Sequence, residues 1–177
     1  MQYVGQMNFG KFEGVGKLYH TNGVLKYEGT FLNNMMEGKN CIIYSKKYGT
    51  IKYVGDIKEG EFHGKGAIFE NGIEKPILIG FFYNNVFVEG EKTCFNTEGK
   101  ICYKGGWKNN NYNKRGVLYH PNGNILYQGY FYEGLEENQE AVIYNSQGEI
   151  CFLGTLKKGK IVGQGYIENY GFETKDL

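Results

Sequence analysis

Cys41, Cys94, Cys102 and Cys151, together with His20, His63 and His120, are the side chains of this sequence best suited to metal, redox or nucleophilic chemistry. Their spacing does not organise them. No two cysteines stand as Cys-x-x-Cys, and the histidines lack the recognisable spacing of converging metal ligands. No Gly-x-Ser-x-Gly nucleophile elbow occurs. The stretch from Gly60 to Lys65, GEFHGK, resembles a phosphate loop but is one residue short, and Gly66 stands where Ser or Thr is required. These features predict a chain without catalysis, cofactor or metal.

Two other constellations could bind rather than react. Lys104, Lys108, Lys114 and Arg115, within KGGWKNNNYNKR, form the densest basic region. As a lipid-headgroup contact such a hairpin gains about 1 kcal/mol per cation near an anionic surface; as a solvated turn it needs no ligand. The formal charge of the whole chain is only +1, from 20 basic and 19 acidic residues, so no global field draws in nucleic acid or membrane. Arg115 is the one arginine, which removes the side chain best suited to bidentate phosphate recognition and argues against nucleic acid.

The second constellation is aromatic: Tyr3, Tyr27, Phe31, Tyr53, Phe82, Tyr103, Trp107, Tyr127, Phe131 and Phe152. One reading is ring packing between neighbouring segments. The other is a groove, lined by Tyr27, Phe31, Tyr53, Phe82, Tyr103, Trp107, Tyr127 and Phe131, that takes a partner helix or extended peptide. A single-layer sheet cannot cover all of one face by itself, so rings are expected to stay accessible, with Trp107 the strongest anchor.

What positions these rings is a repeat. An aromatic residue, one spacer and a glycine recur at Tyr3/Gly5, Tyr27/Gly29, Tyr53/Gly55, Tyr103/Gly105, Tyr127/Gly129 and Phe152/Gly154, with Leu78/Gly80 in the weakened place. The glycines are 24, 26, 25, 25, 24 and 25 residues apart. Such a period marks units that bury their apolar face only by stacking on neighbours. The chain holds 28 glycines where average usage predicts roughly 12. With 16 Tyr and 12 Phe beside only Ala67 and Ala141, the composition is all-β.

Within one unit, Leu25, Tyr27, Gly29 and Phe31 alternate with Lys26, Glu28 and Thr30, the period of a strand with one apolar and one polar face. LNNM and its counterparts KEGE, YNNV, KNNN, YEGL and KKGK supply residues that tolerate the positive φ of tight hairpin turns. The return strand carries Gly-x-Gly and then an aliphatic: Gly14/Gly16/Leu18, Gly64/Gly66/Ile68 and Gly163/Gly165/Ile167. Residues i, i+2 and i+4 share a face, so both glycines are expected to form a slot for a neighbouring ring. Second turns follow at HTNG, ENG, NTEG, HPNG and NSQG. The expected architecture is one domain over 1–177: an elongated, twisted antiparallel sheet of consecutive β-hairpins, about seven repeats long.

The combined pattern resembles the MORN (membrane occupation and recognition nexus) repeat over essentially residues 3 to 170. YVGQMNFGKFEGVGKLYHTNG and YVGDIKEGEFHGKGAIFENG match best. Repeat two has Asn40 at the second slot, repeat five has Lys114 before Gly116, and repeat six has Asn138 and Glu140 in place of both glycines. Repeat four has an extra residue before Gly90, which reads as a bulge. The resemblance implies a non-catalytic ribbon serving as a scaffold or partner-binding module in cytoskeletal, ciliary or membrane-linked assemblies. Related repeats in bacteria imply an immunity or regulatory partner as a further setting.

Equivalent cysteines such as Cys102 and Cys151 lie about four strand spacings of roughly 4.8 Å apart, too far for a disulfide, so free thiols are expected. No run is long and apolar enough to span a membrane, and a cytoplasmic chain is the expectation, with cytoskeletal or membrane association open. Met1 lies just before the first repeat and GFETKDL ends the chain, so open sheet edges are expected to meet a partner, such as another copy, unless the chain is a segment of a longer one.

Overall fold

The computed structural model describes residues 2–70 and 74–167, the last four of these as backbone alone. Fifteen β-strands, and no helix, occur among the described residues: β1 (Gln2–Asn8), β2 (Lys11–Tyr19), β3 (Leu25–Leu32), β4 (Met35–Tyr44), β5 (Ile51–Lys58), β6 (Glu61–Ile68), β7 (Leu78–Tyr83) and β8 (Val86–Phe95). There follow β9 (Ile101–Lys108), β10 (Asn111–Tyr119), β11 (Ile125–Tyr132), β12 (Leu135–Glu136), β13 (Asn138–Tyr144), β14 (Ile150–Lys157) and β15 (Lys160–Ile167). Strands lie in chain order and pair antiparallel, the consecutive hairpins that alternation and turn residues predict. The chain forms two compact units, Met1–Gly90 and Glu91–Leu177.

The first unit shows how a repeat closes. Gly5, Gly16 and Gly29 stand in register across β1, β2 and β3, and Gly55, Gly66 and Gly80 do so across β5, β6 and β7. Tyr53 lies flat over its own glycine and the one opposite: a Cβ added at Gly66 would meet the ring carbons at 2.6 Å. Its hydroxyl donates to the Asp56 carbonyl at 2.8 Å, as Tyr3 donates to Gln6 at 2.6 Å and Tyr27 to Thr30 at 2.7 Å. At Gln6 and Asp56 the ladder skips the residue that supplies the carbonyl. Between Gly55 and Ile57 the β5–β6 register shifts, leaving Asp56 without a Cα partner on β6.

This corrects the slot expected from Gly-x-Gly. Only the second glycine lies under a ring; the first sits in the bulge, where Gly14 and Gly64 have φ of 65° and 60°. A left-handed residue in a bulge puts two residues opposite one, so the two glycines no longer share a face. Repeats two and six differ by one further residue. Cys41 pairs with Gly55 and Ala141 with Gly154, so Cys41 and Ala141, not Asn40 and Glu140, fill the place under the ring. The slot at Gly165 with Ile167, the turn at Asn71 and Gly72, and GFETKDL lie outside the fully described residues.

In the second unit the same device recurs. Tyr103 covers Gly105 and Gly116, which pair with each other and with Gly129, and donates to the Gly106 carbonyl at 2.7 Å. Tyr127 donates to Tyr130 at 3.1 Å. Lys114, at the bulge position, adopts φ of 62° without being glycine. β12 and β13 are one return strand interrupted at Glu137, whose N–H donates to the Tyr130 carbonyl at 2.9 Å.

The rings also reveal a second period, twice the first. Tyr3 stacks on Phe12, Tyr53 on Phe62 and Tyr103 on Tyr112, each at 3.9 Å between centroids. Phe31, Phe82 and Phe131, from the alternate repeats, stand edge-on against those pairs at 5.1, 5.6 and 5.5 Å. Hairpin tips follow the same logic. Asn85 accepts from the Phe62 N–H through its side chain at 2.8 Å and donates its own N–H to the Phe62 carbonyl at 3.0 Å, as Asn34 does with Phe12. Each tip is thereby tied to the preceding return strand.

Two predictions follow from the ring and its hydroxyl. Gly66→Ala should lower unfolding free energy by about 2 kcal/mol or more, because the methyl group displaces a buried ring. Gly60→Asn should change it by less than about 0.5 kcal/mol, since Asn34, Asn85 and Asn110 already hold that turn position at positive φ. Urea unfolding of both variants checks the contrast; equal losses would refute the ring-on-glycine account.

Burial pushes the Tyr53 and Tyr127 phenols from their ordinary value of 10.0 up to about 12 and raises those of Tyr27 and Tyr103 as well. A folded chain that keeps protons the unfolded chain releases loses stability as pH rises between those values, and the full contribution is present below the unfolded value. The urea midpoint should therefore fall from about pH 10 towards pH 12, in step with tyrosinate absorbance. Ionisation of the buried tyrosines ahead of unfolding would contradict it.

Candidate functional site

Seven of the eight rings expected to line a partner groove are core residues. Tyr27, Phe31, Tyr53, Phe82, Tyr103, Tyr127 and Phe131 are at most 3% exposed. The expectation of accessible rings fails because they do not stand up from the sheet. Each tyrosine lies down on glycine, and neighbours such as Leu18, Ile43 and Ile68 pack around those of the first unit. Trp107 is half-buried against Tyr103 and Tyr112. The Lys92 ammonium sits 3.8 Å from its ring centroid, which covers the indole face by a cation–π contact.

The basic region also divides. Lys104 and Arg115 line one open depression of about 620 Å³ on the face away from Tyr103, with Val117, Gln128 and Tyr130. The Arg115 Nε donates to the Tyr130 hydroxyl at 2.9 Å. Lys108 borders a different depression beside Asn109 and Glu133. Lys114 occupies the bulge. Of the four cations, two are brought together.

The reactive side chains stay dispersed. All four cysteines are unpaired, Cys41 and Cys151 being buried. Burial raises the Cys94 and Cys151 thiols, keeping them protonated and poorly nucleophilic. Among the described residues no three His, Cys, Asp or Glu side chains gather as a metal site. His120 Nε2 lies 2.8 Å from the Tyr144 carbonyl oxygen, whereas His20 Nε2 and His63 Nδ1 are buried without a partner.

A different surface emerges from the pleat. The spacer of each Tyr-x-Gly must point away from the ring, and across the first unit these spacers and their partners fall in one row. Ile42 pairs with Val54, Val54 with Ala67, and Ala67 with Ile79. Phe81 lies two residues on, paired with Lys65, whose ammonium is 5.9 Å from the ring. Ile79 and Phe81 are 48% and 47% exposed. In the second unit the corresponding row begins Lys104, Val117 and Gln128. The signal was present in the sequence as apolar residues in the polar phase of the alternation: Val54 and Ile79 stand where other repeats have Glu28, Lys104 or Gln128.

The MORN repeat family model matches residues 3–24, 27–39, 53–72 and 103–125. No curated protein matches the chain. Three of the four matched segments contain the stacked pairs Tyr3/Phe12, Tyr53/Phe62 and Tyr103/Tyr112, and the fourth covers Tyr27 and Phe31 of repeat two. MORN repeats are in general protein- or membrane-binding modules without enzymatic activity. The four matched segments are MORN repeats, and the tyrosine-on-glycine geometry is what they build.

Proposed function

We propose that the chain is a non-catalytic protein-binding scaffold, and that its partner docks on the face of the first unit opposite the tyrosines. The registered apolar row Ile42, Val54, Ala67 and Ile79 carries this reading. Neighbouring strands step by about 4.8 Å. One turn of an α-helix rises about 5.4 Å, so an amphipathic helix laid across the strands sets successive apolar side chains against successive members of the row. Phe81 supplies an aromatic contact at its margin and Lys65 a cation for an acidic flank.

Contact with anionic lipid through Lys104, Lys108, Lys114 and Arg115 has less support, because only Lys104 and Arg115 share a depression. MORN proteins are often membrane-associated or cytoskeletal. Among the described residues no helix is long and apolar enough to cross a membrane. A scaffold brought to such an assembly by its partner agrees with both statements, and an immunity or regulatory partner would use the same face.

The paired substitution Val54→Lys with Ile79→Lys tests the proposal. Both side chains face away from the core, so the urea midpoint should shift little, while two ammonium groups desolvated beneath an apolar helix should weaken binding at least about tenfold. Cross-linked partner recovered from native extract should drop for this variant and persist for Trp107→Ala. Equal recovery with the double-lysine variant would remove this face from consideration.

A further inference from the structure

Lys26 on β3, Lys46 and Lys47 in the turn after β4, and Lys52 on β5 border one depression of about 600 Å³ in the first unit, together with His20 and Ser45. Glu70 is the single acid on its lining. Among the described residues none of these lysines is in an ion pair; the pairs present join Lys17 to Glu28 and Lys100 to Glu98. Lys46, Lys47 and Lys52 are exposed, and Lys47 lies 4.8 Å from the Tyr48 ring centroid. Four like charges around one hollow repel one another unless an anion sits among them.

The chain contains its own control. Repeats five and six build the same turn region a hundred residues later, where Leu126, Ser146, Gln147 and Cys151 replace Lys26, Lys46, Lys47 and Lys52. The scaffold bonds are nonetheless common to both: Asn22 Nδ2 donates to the Lys46 carbonyl at 3.3 Å, and Asn122 Nδ2 to the Ser146 carbonyl at 2.6 Å. The fold therefore does not require the lysines. The histidines differ in the same sense. His120 Nε2 is satisfied by the Tyr144 carbonyl oxygen, whereas the equivalent atom of His20 is buried with no hydrogen-bond partner.

We infer that this depression is a binding site for a multiply charged phosphate ester, held by Lys26, Lys46, Lys47 and Lys52 with His20 as an additional hydrogen-bond donor. Ammonium groups bind phosphate as point charges and do not require the planar geometry of arginine. One carboxylate cannot neutralise four cations, whereas two or more phosphates on a small scaffold can. The hollow is of small-molecule size. The ligand is either a soluble polyphosphate ester or the phosphorylated headgroup of a lipid, and the chemistry of recognition is the same.

Calorimetric titration with inositol hexakisphosphate and with inorganic tripolyphosphate, at low and high salt, tests the soluble arm. Flotation with phosphatidylcholine vesicles, with and without phosphatidylinositol bisphosphate, tests the lipid arm. Binding in either arm should weaken at least about tenfold in Lys26→Gln/Lys52→Gln and in Lys46→Gln/Lys47→Gln, and should weaken with salt, as expected of a charge-assisted site. Lys104→Gln/Arg115→Gln, in the other unit, should bind like the wild type. Unchanged urea midpoints establish that the lysine variants remain folded. The inference is overturned if no probe binds, if binding is to an acidic peptide such as polyglutamate equally well, or if the control pair weakens binding as much as the lysine pairs.

Discussion

The fold depends on a tyrosine hydroxyl reaching a backbone carbonyl of its own strand, which at Gln6, Asp56 and Gly106 a register shift has left without a Cα partner on the return strand. The acceptor is always three residues further along the same strand: Gln6 for Tyr3, Thr30 for Tyr27, Asp56 for Tyr53, Gly106 for Tyr103 and Tyr130 for Tyr127. To make that reach, the ring must lie against the sheet, which leaves no room for a Cβ at Gly16, Gly66 and Gly116. Strand glycine, ordinarily unfavourable by roughly 0.5–1 kcal/mol, becomes obligatory at those positions. A buried acceptor left unsatisfied costs about 1–3 kcal/mol, so a phenylalanine at Tyr53 would fill the volume at that cost. Leu78 and Phe152 mark where the hydrogen bond is absent.

Once the tyrosines lie flat, the remaining rings are constrained in turn. A face-to-face partner can be placed on one side of each odd-repeat tyrosine, and Phe12, Phe62 and Tyr112 take that place. The next aromatic meets the edge of the stack, an arrangement the ring quadrupole favours, and Phe31, Phe82 and Phe131 adopt it. Two hairpin repeats are therefore needed to complete one packing unit. This explains why alternate repeats tolerate Cys41 or Ala141 where the others require glycine: their tyrosines are braced differently, and Tyr27 even donates towards the Cys41 sulfur at 3.1 Å.

Strand positions, turn positions and the hairpin order were legible because each rests on a local rule: alternation, and residues that accept positive φ. Gly-x-Gly was legible as a glycine signal but not as two different glycines. A bulge breaks the alternation by one residue, and nothing in the spacing of Gly64 and Gly66 says that one bends the chain while the other lies under Tyr53. The same one-residue ambiguity hid Cys41 and Ala141 behind Asn40 and Glu140. Ring accessibility was misread for a further reason. Periodicity assigns a side chain to a face but does not say whether it stands or lies, and a ring at rest on glycine is buried within a single sheet. The lysines around His20 were invisible because they come from β3, the turn after β4, and β5, and meet only through register.

The constraint on one face leaves freedom on the other. Beneath each ring the chemistry is limited to glycine or a small residue, whereas the spacer of Tyr-x-Gly points away and can be Val4, Glu28, Val54, Lys104 or Gln128, with Ile79 and Leu153 in the same place after Leu78 and Phe152. That variation does not disturb the hydroxyl-to-carbonyl bond, because substitutions on the opposite face change neither the bulge nor the slot. The turns have the same licence so long as they keep positive φ where the backbone demands it. A repeat built this way separates what holds the fold from what meets a partner. Specificity should therefore be sought where the repeats disagree with one another on the spacer face and in the turns, and the apolar row of the first unit and its four unpaired lysines are two such disagreements.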